Sequence, residues 1–207
     1  MEPFILTGTI LIGTSIAYAL YIIPTKIKDA KVIPSSKVSA MKHEDEFSLH
    51  YIFSKSGQSI KKSIIQTIDQ AKQAIDIASY SFTEKEIISR LCLATKRGVK
   101  VRVITDREQS NGKYQKEAIN ILLSKGIPVK MNTYHGSMHL KMLISDRKSV
   151  IAGSYNLSKK AETKNEEVML FINNKQIGTE WSELFNDRWD DEKNFRPYYL
   201  EDIEKYA

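Results

Sequence analysis

Six residues in one stretch of the 207-residue chain have the types and spacing to hold a phosphate. Residues 139–156, HLKMLISDRKSVIAGSYN, read as H-x-K-x4-D-x6-G-S-x-N. His139 and Lys141 stand two apart in a segment that reads as a strand, so both side chains point to one face. Ser154 and Asn156 stand two apart at the end of the next predicted strand. Antiparallel pairing through a turn at residues 146–149 would gather an imidazole, an ammonium, a hydroxyl and a carboxamide around one spot. Such a set suits a tetrahedral phosphate, with a nucleophile for phosphorus and a cation and neutral donors for its oxygens. Asp146 belongs to the same spacing but sits at the turn. It reads as a structural residue that fixes the hairpin by side-chain bonds rather than as an acid in a reaction.

The surrounding sequence alternates strand and helix. SLHYIF (48–53) reads as a first strand. Residues 58–73 carry Ile60, Ile64, Ile65, Ile68 and Ala71 at helical spacing. IDIASYSF (75–82) alternates as a strand, with Tyr80 and Phe82 expected in the core and a place lining the cleft as the alternative. Thr83 and Glu86 form a capping-box pattern ahead of a helix that bears Ile87, Ile88, Leu91 and Ala94 and stops at Gly98. VKVRVIT (99–105) is a strand, and residues 113–125 are a helix ended by Gly126. Strands PVKMNT, LKMLIS, SVIAGS and EVMLFI follow, then a helix over 176–189 in which Trp181, Phe185 and Trp189 pack. The pattern predicts an α/β fold, a mixed β-sheet flanked by helices.

Composition bounds the rest. Hydrophobic residues are 42% and charged residues 27%, as in globular chains, which excludes a wholly disordered or collagen-like protein. The single cysteine, Cys92, excludes a disulfide framework and a Cys-rich zinc module, and reads as core or inert surface. Net charge is +6, with the acidic excess confined to residues 180–207. A basic body favours polyanionic or anionic-surface partners. Lys100, Arg102 and Arg107 are candidates for tracking a phosphate backbone, or for a solvated edge.

Residues 4–23 contain no charge and no proline and are long enough for one hydrocarbon core. Lys26, Lys28 and Lys31 follow the run, so the positive-inside rule places the body on the cytoplasmic side of an uncleaved anchor. Ala17-Tyr18-Ala19 leaves open signal cleavage and a secreted or periplasmic body. The expected organisation is an apolar helix over 1–24, a linker over 25–46, a catalytic domain over 47–192 and a solvated tail over 193–207. His43, His50 and His135 read as surface residues, with His135 the alternative rim residue of the site.

HLKMLISD followed by GSYN resembles the signature of the phospholipase D superfamily. The segments ASYSFT (78–83), KRGVKVRVITD (96–106), KAETKNEE (160–167) and DRW (187–189) extend the likeness over residues 48–190. Within the superfamily they resemble the small bacterial endonuclease Nuc and the membrane-anchored mitochondrial cardiolipin hydrolase/Zucchini group. The resemblance implies a phospholipase D-like fold and a metal-independent phosphodiesterase without a cofactor. In it His139 forms a phosphohistidine, Lys141 and Asn156 bind phosphoryl oxygens, and Ser154 hydrogen-bonds around the site. Glu167 would orient the histidine, with Glu166 as its neighbouring alternative. The Cys/His zinc finger of some relatives has no counterpart here, so no structural zinc is expected. A second histidine normally protonates the leaving group. With one H-x-K per chain, it would come from a second copy, in a homodimer with a composite active site. Nucleic acid, DNA or RNA, is the expected substrate, and an anionic phospholipid is the alternative.

Overall fold

A computed structural model of the chain describes residues 47–199. Strands β1 (Ser48–Phe53), β2 (Ala74–Ser79), β3 (Lys100–Thr105), β4 (Val129–Asn132), β5 (Lys141–Ser145), β6 (Ser149–Gly153), β7 (Val168–Asn173) and β8 (Phe195–Pro197) form one sheet. Their order is β1-β7-β6-β5-β2-β3-β4-β8. Only β2–β3 and β3–β4 are parallel; every other neighbouring pair is antiparallel, so the sheet is mixed. The helices are α1 (Ile60–Gln70), α2 (Lys85–Lys96), α3 (Arg107–Ser110), α4 (Lys113–Ser124), α5 (Lys159–Thr163) and α6 (Lys175–Asp190).

Two apolar layers hold the sheet between helices. Ile60, Ile64, Ile65 and Ile68 of α1 are buried on one face, and α2 and α4 add Ile87, Leu91, Ile119 and Leu122 to the same layer. On the opposite face Phe185 of α6 lies among Ala78, Ile104, Met142, Ile144 and Val150, with Trp181 and Trp189 beside it. β2 and β3 are the inner parallel strands, and most of their residues are buried.

Several expectations change here. The capping box does not form: Glu84 is the N-cap of α2 without a side-chain bond, and Glu86 instead pairs with Lys61 at 2.9 Å. Thr83 and Glu84 use their backbone N–H groups on the Leu157 carbonyl, which ties the entrance of α2 to the end of the motif segment. The tail expected from residue 193 supplies the edge strand β8, and Phe195 and Tyr198 are buried. Arg102 is not free to follow a phosphate backbone. It makes a two-pronged ion pair with Asp76 at 2.7 and 2.9 Å, donates to Asn186, and stacks over Phe185 and Trp189. Arg107 donates to the Thr133 carbonyl. Cys92 packs against the core, and burial pushes its thiol pKa up, as an inert residue requires.

The apolar run 4–23, the linker, His43 and residues 200–207 lie outside the described residues. Among the described residues no helix is long and apolar enough to cross a membrane.

Candidate active site

All the motif residues except Asp146 lie at one end of the sheet, where β2 and β6 finish and β5 and β7 begin. Register places Ser79 opposite Lys141, Met142 opposite Ala152, and Gly153 opposite Met169. His139 lies just before β5 rather than within it, so the strand expected from residue 140 starts at Lys141. The imidazole is exposed while Lys141 is buried at 9% relative exposure. The Lys141 ammonium donates to the His139 carbonyl at 2.9 Å, which folds the two residues onto one spot.

Gly153 explains the first letter of G-S-x-N. A β-carbon there would come 2.1 Å from the Val168 carbonyl oxygen and 2.7 Å from the Met169 sulfur. Only glycine lets β6 lie this close to β7. Close approach brings the Ser154 hydroxyl to the Glu167 carboxylate at 2.5 Å, and Ser154 accepts from the Val168 N–H at 3.1 Å. The other carboxylate oxygen of Glu167 accepts from Asn165 Nδ2 at 2.8 Å, and its N–H donates to Ser54 Oγ at 2.8 Å. Of the two adjacent glutamates, Glu167 faces the site and is 8% exposed; Glu166 points outward and pairs with Lys55 at 3.3 Å.

Asn156 follows in a segment stitched to the end of β2: Leu157 donates to the Ser81 carbonyl, and Phe82 bridges Leu157. The Asn156 side-chain oxygen is buried and has no partner among the described residues. A buried amide oxygen without a partner carries a desolvation cost, which a donor on a ligand would relieve. Lys141 has the perturbed charge of the set. Burial pushes its pKa below the ordinary lysine value, and the Glu167 carboxylate partly opposes the shift.

Tyr80 takes the alternative place, beside the site, rather than the core. Phe82 is buried as expected, but Tyr80 is half-buried with its ring edge-on to His139, centroids 4.6 Å apart. The Lys141 ammonium lies 5.1 Å from the same ring. Gln109 donates to the Tyr80 hydroxyl at 3.0 Å, and the Tyr80 N–H donates to the Leu140 carbonyl at 2.9 Å. Thus the side chain that lies against the imidazole is an aromatic ring, while the two oxygens of Glu167 engage Ser154 and Asn165. Nothing in the period of a strand separates a core tyrosine from one at its active end. Asn165, in contrast, lies within KAETKNEE and was open to notice.

Asp146 stands apart from this group, at the other end of β5. Its carboxylate accepts three backbone N–H bonds, from Lys72 at 2.8 Å, Gln73 at 2.7 Å and Ala74 at 3.0 Å. It is structural, as its turn position suggested, but it secures the α1–β2 connection more than its own hairpin. His135 is exposed in the loop that precedes the motif. Among the described residues no group of His, Cys, Asp and Glu is clustered to hold a metal.

Residues 64–189 match the family described as cardiolipin synthase, PLD-like domain. The chain belongs to the phospholipase D superfamily of phosphodiesterases. It is 34% identical over 116 residues to a phospholipase D of Rickettsia prowazekii, covering 56% of each protein. It is 28% identical over 136 residues to the human mitochondrial cardiolipin hydrolase, covering 65% of this chain and 52% of that one. The chain therefore spans about half the length of the curated relatives it matches. Among solved structures, Nuc from Salmonella typhimurium, a phospholipase D family member, superposes with a TM-score of 0.68 at 33% identity. That match covers 74% of this chain and 99% of Nuc.

Proposed function

We propose that the chain is a metal-independent endonuclease that hydrolyses phosphodiesters of DNA or RNA through a phosphohistidine. The observation that carries this reading is the convergence of His139, Lys141, Ser154, Asn156 and Glu167 on one end of the sheet. His139 attacks phosphorus; a P–N bond forms as the P–O bond to the leaving oxygen breaks. Lys141 offsets charge on the non-bridging oxygens, and the Asn156 amide donates to one of them. The Ser154–Glu167–Asn165 chain fixes the floor of the site. A second imidazole gives its proton to the leaving oxygen, then takes one from the water that cleaves the P–N bond and restores His139.

No second H-x-K exists in the chain. The second imidazole is therefore assigned to His139 of another copy, across a two-fold axis. The apolar run 4–23 would tether this body to a membrane, with the cytoplasmic face preferred.

Two observations favour nucleic acid. Nuc, from the endonuclease group that the motifs resemble, is among the relatives covered almost end to end. Residues 1–179 also hold an excess of eleven basic over acidic residues. The second reading is a phospholipase D or cardiolipin hydrolase, favoured by the likeness to the human cardiolipin hydrolase and by the apolar run. The test offers single-stranded DNA, duplex DNA, RNA and cardiolipin vesicles in parallel, with chelator present. Cleavage of nucleic acid that is lost in His139→Ala supports the first reading. Turnover confined to vesicles refutes it in favour of the second.

A further inference from the structure

A groove of about 740 Å³ opens beside the site, between the start of α2, α4 and α5. One end is made by Ser81, which follows Tyr80, and by Ser158, whose N–H donates to the Asn156 carbonyl. Its floor is apolar, with Ile88 and Ala118 buried. On its rim Tyr114 stands 72% exposed, the highest value among the exposed large hydrophobics described. No packing in the fold accounts for an aromatic ring held in that position.

The charge around the groove is sorted. Glu84 pairs with Lys61 and Glu117 with Lys85, while Glu162 accepts from the Ser59 and Tyr155 hydroxyls and keeps its charge. Among the described residues Lys159 and Lys160 on the groove, and Lys113 and Lys116 flanking Tyr114, have no acidic partner. These four lysines outnumber Glu162, the one groove carboxylate without an ion pair among the described residues, and an exposed aromatic ring stands among them. We infer that this groove is a binding track for single-stranded nucleic acid, with Tyr114 as a stacking platform for a base and Lys159 and Lys160 meeting flanking phosphates.

The inference rests on the nucleic-acid reading and adds strand preference to it. A single strand presents the face of each base, whereas a duplex keeps its faces stacked and must extrude a base to offer one. An acyl chain would fit the apolar floor, but it would leave four lysines unmatched and gain little from a ring so open to water.

The test uses the full chain and measures kcat/KM on a single-stranded DNA oligonucleotide and on the duplex of the same sequence. Tyr114→Ala should lower the single-strand over duplex selectivity roughly tenfold, within the range for loss of one base–aromatic stack. Tyr114→Phe should retain it. Lys159→Ala with Lys160→Ala should reduce the slope of log binding against log salt by about 1.4 for the single strand, at about 0.7 for each phosphate contact. Thermal melting of each variant excludes loss of fold as the cause. An unchanged selectivity ratio in Tyr114→Ala, or an equal fall on both substrates, overturns the inference while leaving the nuclease reading intact. If the unmutated chain cleaves neither nucleic acid and turns over cardiolipin vesicles, the nuclease reading falls and the inference falls with it.

Discussion

Asp146 is part of the motif by spacing, yet the structure gives it a task remote from the chemistry. It is five residues from Lys141 along β5, a distance of about 17 Å at the rise of an extended strand. Its carboxylate holds the N–H groups of Lys72, Gln73 and Ala74. Lys72 and Gln73 are exposed, so water replaces much of what they lose; Ala74 is partly buried. Charge-assisted bonds of this kind contribute about 1 kcal/mol each after such replacement, and somewhat more at the partly buried N–H. Asp146 also has φ +53°, where alanine costs about 1 kcal/mol more than aspartate or asparagine. Asp146→Ala should therefore destabilise the protein by about 4 kcal/mol, and Asp146→Asn by about half of that. For a chain of this size each kcal/mol lowers Tm by about 2–4 °C. Urea unfolding should show a lower midpoint with an unchanged slope. At a temperature where the variant is folded, kcat on a nucleic-acid substrate should be within about twofold of the original, since the carboxylate is too far to touch phosphate. Loss of kcat by orders of magnitude with unchanged melting would refute this account and return Asp146 to the reaction.

Other outcomes follow from the same geometry. Glu167→Gln removes the charge that raises the Lys141 pKa, while burial still lowers it. The alkaline limb of kcat/KM, where Lys141 loses its proton and its hold on phosphate, should move to lower pH; an unmoved or higher limb would exclude Lys141 as its source. Gly153→Ala should force β6 off β7 and separate Ser154 from Glu167, at about 1–3 kcal/mol of overpacking and with a fall in kcat; full activity would show that the close approach is not required. Activity should survive EDTA, and loss restored by added magnesium or zinc would defeat the phosphohistidine route. Refolding with an equal amount of His139→Ala should leave about a quarter of the activity if two copies share one site, against about half if each chain works alone.

The site was legible where a single strand and its turn set the geometry. H-x-K and G-S-x-N flank the adjoining ends of two strands joined by one tight hairpin, so the pairing of β5 with β6 brings His139, Lys141, Ser154 and Asn156 to one end of the sheet although only Lys141 and Gly153 lie within the strands. The sheet ends where long-range pairing decides were less legible. β8 lies in an acidic stretch whose charge suggested a solvated tail, but Phe195 and Tyr198 are buried, and β8 pairs with β4 some 65 residues earlier. Tyr80 shares the alternation of a core residue, and only the meeting of β2 with β5 turns it toward His139. Arg102 looked like a free cation because Asp76 and Asn186, which hold it, are remote in sequence.

Those cases bear on the spacing of the motif itself. The four residues between Lys141 and Asp146 are the body of β5, so the interval measures one crossing of the sheet. At one end the chain places the His139 imidazole and the Lys141 ammonium together. At the other, a carboxylate locks the turn that enters β2, the strand whose far end holds Tyr80 against His139. The register of β2 against β5 is thereby fixed from the end opposite the chemistry. A one-residue insertion between Lys141 and Asp146 would turn Lys141 to the other face of the sheet while Asp146 kept its backbone partners. The spacing joins Lys141 to the contact that sets its register, so Asp146 has a place in the motif as the residue that holds the strand.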